Sequence, residues 1–137
     1  KILREIDKGE KFDRFIVDAP CSGSGVWRRS PDAKYRLTPQ QLKAIEQAQA
    51  EILDIAAEHV SENGRIIYMT CSVFPEENEE RIEQFLQKHQ NYTTVNMKNL
   101  WERKLEQIYP FDEKRWLKCS PLLTETDGFF VCVMQKK

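Results

Sequence analysis

The 137-residue sequence predicts an α/β fold built on a parallel, doubly wound sheet, and three observations carry that prediction. Two short apolar runs, Phe12–Ala19 and Arg65–Ser72, each pass into a loop. A long segment of helical period lies between them, and a second helical segment follows. Strand–helix–strand–helix order favours parallel pairing, because a helical crossover returns the chain to the same sheet.

"FDRFIVDA" reads as a buried strand closed by Asp, Pro and Gly signals. The loop "PCSGSGVWRRSPDAKYRL" follows. Thr38-Pro39-Gln40-Gln41 then marks a helix start: Thr38 as N-cap, Pro39 in the first turn, Gln41 closing a capping box. Leu42, Ile45, Ala48, Ile52, Ile55, Ala56 and Val60 lay one apolar face against the sheet, and Asn63-Gly64 is the expected stop. After the strand "RIIYMTCS", Pro75 opens a helix whose Glu76, Glu77, Glu79 and Glu80 complement the positive end of its dipole and face solvent. Ile82, Phe85 and Leu86 form its core face. Beyond it, "YTTVNM" reads as a strand and Leu100–Tyr109 is ambiguous. "LKCSPLL" and "GFFVCVMQKK" read as two strands around Thr126-Asp127-Gly128, paired antiparallel at one sheet edge.

Composition excludes several classes. A net charge of −1 gives no overall pull toward nucleic acid or membrane, so any basic surface is local. No apolar run approaches the roughly 20 residues of a bilayer span, and "KILREIDKGEK" is not a signal peptide. Cys21, Cys71, Cys119 and Cys132 form no C-x-x-C pair, which argues against a metal site and suits a reduced, cytoplasmic setting.

Familiar motifs fail on spacing. "CSGSGVWRR" lacks the lysine of a phosphate-binding loop, and Arg28 stands where a dinucleotide fingerprint needs its third glycine. Ser22 precedes Ser24 where a serine nucleophile elbow needs glycine. Six residues separate Cys21 from Arg28, where a phosphatase-type loop has five.

A free cysteine is most often a small buried hydrophobe, and Cys132 within "FFVCVM" and Cys119 fit that reading. Cys21 and Cys71 differ, because each stands where a strand hands over to a loop, the place where open α/β sheets bind ligands. On adjacent strands, about 4.8 Å apart, both thiols would face one substrate, with Asp18 beside them. Such a set suits methylation at carbon 5 of a cytosine. A thiolate adding to carbon 6 makes carbon 5 nucleophilic, a carboxylic acid at ring N3 takes up developing charge, and a second thiol assists release.

"DAPCSGSG", "TCSV", "PEENE" and "TDGFF", with the linking stretch "RRSPDAKYRLTP", closely resemble the Sun (Fmu) family of RNA cytosine-C5 methyltransferases, nearest to the bacterial small-subunit rRNA enzymes. The resemblance covers nearly the whole chain. It implies a Rossmann-like methyltransferase fold with S-adenosylmethionine as donor. By motif match it makes Cys71 the nucleophile and Cys21 the thiol that resolves the adduct, and puts Asp18 at the donor and target-base site. The family's glycine-rich donor loop belongs upstream of "KFDRFIVDAP". Residues 1–137 are therefore expected to be a single partial domain, the C-terminal half of the catalytic domain, inactive alone. Its exposed sheet edge would be open to self-association.

Arg28, Arg29, Lys34 and Arg36 oppose one acid, Asp32, and suit RNA phosphates, with Trp27 or Tyr35 for stacking. The plainer reading is a solvated loop whose arginines pair with nearby acids. His59 and His89, near helix ends, read as structural or exposed. Two other functions stay open: a non-catalytic module binding RNA or protein, and a DNA cytosine-C5 methyltransferase with Cys21 as nucleophile.

Overall fold

The computed structural model describes residues 9–105 and 108–137. Strand β1 (Phe12–Asp18) leads through a loop and a single helical turn, α1 (Ala33–Arg36), into the long helix α2 (Pro39–His59). Strand β2 (Val60–Thr70), helix α3 (Glu79–Lys88), strand β3 (Tyr92–Thr94) and helix α4 (Met97–Leu105) follow. Strand β4 (Trp116–Cys119), the turn α5 (Pro121–Thr124) and strand β5 (Phe129–Lys136) complete the chain. The sheet order is β1-β2-β5-β3, with β4 also paired to β5.

The predicted parallel pair forms: Phe15 lies opposite Ile66 and Asp18 opposite Met69. Strand β5 runs antiparallel between β2 on one side and both β3 and β4 on the other. The expected antiparallel pair is thus present, but β5 is an interior strand. Its run "FFVCVM" is accordingly apolar throughout, as a strand covered on both faces must be. On one face Leu53 and Ala56 of α2 and Ile82 and Phe85 of α3 pack on Val17, Ile66, Tyr68, Phe130 and Cys132. On the other, Met97, Tyr109 and Val133 gather with Ile67, Trp101 and Val131. Burying each large side chain contributes about 1.5–3 kcal/mol.

The capping box forms as read: Gln41 N–H donates to Thr38 Oγ1 at 3.2 Å and Thr38 N–H donates to Gln41 Oε1 at 2.9 Å. Two details differ from the sequence reading. The most deeply buried line of α2 is Gln49, Leu53, Ala56 and His59, so the face is rotated to include two polar residues. The helix ends at His59, before Asn63-Gly64, and β2 begins at once. Asn63 takes a left-handed φ of 61° inside the strand, at the register shift between β1 and β2. Its tolerance of that conformation is used in a bulge rather than in a helix cap. The ambiguous stretch from Leu100 becomes helical to Leu105, and residues 106–107 lie outside the described residues.

Among the described residues no helix is long and apolar enough to cross a membrane. Strand β1 pairs with β2 alone among them, and Ile16 on it is 64% exposed.

Candidate active site

The carboxyl ends of β1 and β2 bring the two cysteines together. Cys21 follows β1, Cys71 follows β2, and their Sγ atoms are 3.3 Å apart. The strands pair Phe15 with Ile66 and Asp18 with Met69, an offset of 51 residues, and the loops that follow shift by one to bring together residues 50 apart, a spacing that recurs in the next pair. Ser22 and Ser72 bring their hydroxyl oxygens to 3.3 Å. Burial, together with the hydrogen bond to Cys71, pushes the Cys21 thiol up to about 12. Cys21 therefore keeps its proton near neutral pH, and its S–H can hydrogen-bond to the Cys71 sulfur.

A polar lattice fixes both loops from beneath. Glu77, fully buried, accepts Ser22 N–H at 2.8 Å and Gln49 Nε2–H at 3.2 Å on one oxygen. Its other oxygen accepts the hydroxyls of Ser22, at 2.5 Å, and of Ser72. Gln49 also donates to Pro20 O at 2.9 Å, tying α2 to the first loop. Ser24 Oγ lies 2.9 Å from Ser72 Oγ and accepts Val73 N–H at 3.0 Å. Asn78 accepts from Thr70 Oγ1 at 2.6 Å and donates to Ser72 O at 2.9 Å. Most buried polar groups here have a partner, the exception in the lattice being Gln49 Oε1, and the paired groups hold one another in place.

Glycine admits the third loop. Gly25 N–H donates to Cys71 O at 2.9 Å and Gly128 N–H donates to Gly25 O at 2.8 Å. A Cβ on Gly25 would stand 2.5 Å from Gly128 O and 2.7 Å from Cys71 O. The two glycines thus let the loop before β5 touch both cysteine loops.

Asp18 sits at the end of β1, exposed, with no hydrogen bond to either thiol among the described residues. The four cations of the basic segment are all exposed. Arg28 and Arg29 pair with Asp127 at 3.6 and 3.0 Å, and Arg36 pairs with Asp32 at 2.9 Å. Lys34 lies over the ring of Tyr35, 4.8 Å from its centre. Trp27 packs edge-on against Phe74 at 5.6 Å, which occupies one edge of its indole, whereas Tyr35 stays 80% exposed. An open cavity of about 420 Å³ adjoins Cys21 and Ser22, walled by Leu37, Gln41 and Ile45 and bordered by Arg36.

Sequence reasoning missed Glu77, Gln49 and Asp127. Glu77 was expected on a solvated face with Glu76, Glu79 and Glu80; of these, Glu76 and Glu80 are exposed and Glu79 pairs with Lys118 at 2.6 Å. The one available signal was Pro75, which opens a turn of 3-10 helix over Pro75–Glu77 and swings Glu77 inward before α3 begins. The two histidines are structural. His59 bonds Glu10 O at 2.9 Å, and His89 meets Asp54 at 2.7 Å and stacks on Phe85. Among the described residues no cluster of His, Cys, Asp and Glu could hold a metal.

Comparison with known proteins gives the family and the fold. A family profile described as 16S rRNA methyltransferase RsmB/F matches residues 2–135. A curated relative from Bacillus subtilis (strain 168), "Probable ribosomal RNA small subunit methyltransferase B", is 40% identical over 97% of this chain. The chain spans 29% of that relative's length. A crystal structure of PH0851 superposes with a TM-score of 0.77 at 33% identity, over 90% of this chain and 26% of that one. The structure of NSun6 from Pyrococcus horikoshii with SFG superposes at 0.74 over 98% of this chain and 32% of its own; at 22% identity it shows the shared fold alone.

Proposed function

The chain belongs to the 16S rRNA methyltransferase RsmB/F family, and we propose that the full-length protein methylates carbon 5 of a cytosine in 16S rRNA, using S-adenosylmethionine. The observation that carries this reading is the pair of thiols at 3.3 Å, one of them held protonated, at the carboxyl ends of adjacent parallel strands. The Bacillus subtilis relative, named for ribosomal RNA of the small subunit, supports the substrate class. Residues 1–137 act as part of one catalytic domain, and the edge of β1 that no other strand covers among the described residues is where the rest of that domain docks.

Cys71 is the nucleophile. Its sulfur adds to carbon 6 of the cytosine and the ring's electron pair moves toward carbon 5, with Asp18 hydrogen-bonded at ring N3. The donor, when bound, supplies an electrophilic methyl group. The residues present fit only one edge of it: the other oxygen of the exposed Asp18 carboxyl group can accept hydrogen bonds from its amino or hydroxyl groups. After methylation the carbon-5 proton leaves to a base, the ring double bond re-forms, and the Cys71–carbon 6 bond breaks with its electron pair returning to sulfur. Cys21, protonated and in contact, assists by donating a hydrogen bond to that departing sulfur. Arg28, Arg29, Lys34 and Arg36 meet RNA phosphates beside the site.

The test is a denaturing gel of full-length variants incubated with RNA and donor. Cys71→Ala should abolish both methylation and covalent protein–RNA adduct. Cys21→Ala should form the adduct and fail to release it, leaving a slow-migrating band. An adduct that forms in Cys71→Ala and is lost in Cys21→Ala would exchange the two roles, as the DNA-type mechanism requires.

A further inference from the structure

We infer that Glu77 is a positioning residue that sets the separation of the two thiols by clamping the serine that follows each. This rests on the two-thiol reading proposed above and adds a residue to it. Cys21-Ser22 and Cys71-Ser72 are identical dipeptides, and the loops, shifted by one residue from the register of the strands, bring cysteine to cysteine and serine to serine. Both serine hydroxyls donate to the same carboxylate oxygen of Glu77, and the Ser22 N–H donates to the other. No Lys or Arg forms an ion pair with this carboxylate among the described residues, so its compensation for burial comes from the loops it joins.

Glu77 is itself held. Its N–H donates to Phe74 O at 3.2 Å, its carbonyl accepts the Tyr68 hydroxyl at 2.7 Å, and Gln49 reaches it from α2. An ordinary buried staple would tie any two neighbouring groups. This one grips the residue immediately after each reactive sulfur, from the side facing the core. Without it, three donors on two loops lose their shared acceptor, and the loops keep the Ser22–Ser72, Ser24–Ser72 and Gly25–Cys71 contacts but no charged group that grips both Ser22 and Ser72. Release of the adduct, which needs Cys21 in contact with Cys71, is the step most sensitive to that change.

The probe is phenylarsine oxide, which bridges two nearby thiols with formation of two As–S bonds and loss of one water. Its bridging rate on the full-length protein is compared with the rate at which iodoacetamide alkylates the same thiols singly. In Glu77→Ala, bridging of Cys21 and Cys71 should slow at least about tenfold while single alkylation changes less than about twofold, since misplacement of about 1 Å is felt steeply by a two-point reaction. Glu77→Gln, which keeps one acceptor for the Ser22 N–H, should fall between Glu77→Ala and the unaltered protein. Should Glu77→Ala not fold, Glu77→Gln and Ser72→Ala decide by the same ratio. Unaltered bridging in the folded variants would overturn the assignment. Bridging needs neither RNA nor donor, so failure of the unaltered protein to methylate cytosine would refute the proposed function and leave this result standing.

Discussion

From Cys21 to Gly25, side chains and backbone are bonded into a buried lattice around Glu77, Ser72 and Gly128; from Arg28 to Arg36, a few residues on, the side chains are exposed and held by surface ion pairs. The two stretches belong to one loop, and under the proposed function they serve different tasks. Bond-making needs reacting atoms fixed to fractions of an ångström, and only buried, fully paired groups provide that. Attraction of a phosphate backbone needs charge in water, where an exposed ion pair is worth about 0–1 kcal/mol and yields readily to a competing anion. Asp127 links the two: it holds Arg28 and Arg29, and its neighbour Gly128 bonds Gly25.

The contrast breaks most visibly at Gly25. A valine there would drive Cβ into Gly128 O and Cys71 O, both backbone atoms that cannot step aside. Gly25→Val should lower stability of the full-length protein by about 3 kcal/mol or more, seen as a shift of the urea midpoint, whereas Arg28→Ala should leave that midpoint in place.

Thiol chemistry sharpens the buried half. Cys21, raised from 9.0 to about 12, keeps its proton in the folded state where the unfolded chain has lost it. The unfolded chain binds fewer protons between those values, so this contribution is fully present below pH 9 and is lost as pH rises toward 12. Alkylation of Cys21, followed by peptide mapping, should stay slow at pH 8 and accelerate only across that window. A Cys21 alkylation rate that levels off near pH 9 would contradict it.

For the exposed half, replacing Arg28, Arg29 and Arg36 together by alanine should weaken RNA binding about tenfold at low salt and flatten its salt dependence, with little change in melting. Asp127→Asn gives the smallest effect. It frees two arginines from their acid and should raise RNA affinity about twofold to threefold at low salt. Filter binding across a salt series reads both. Binding that is insensitive to all four residues would remove this segment from the RNA contact.

The acid limb depends on another pair. Burial alone would raise the Asp54 carboxyl, but hydrogen bonds from His89 and Lys88 outweigh that and hold it below its ordinary value. Its contribution is present above pH 3.8 and is lost as pH falls below it, so Asp54→Asn should flatten the acid unfolding curve there.

What the sequence determined is what neighbours along the chain decide. Apolar runs and helical periods set β1, α2 and β2, Thr38 and Gln41 set the cap, and cysteines at two strand ends marked the candidate site. Local rules also misled where a residue has two uses: Asn63 tolerates a left-handed backbone in a helix cap or a bulge alike, and only the pairing of β1 with β2 chose the bulge. Tertiary structure alone decided the 3.3 Å between the thiols, the interior place of β5, the burial of Glu77 and the capture of Arg28 and Arg29 by Asp127. The reason is range. A strand's alternation is visible in eight residues, but which atoms meet across 50 or 100 residues depends on register, and a slip of one residue would turn each side chain to the opposite face.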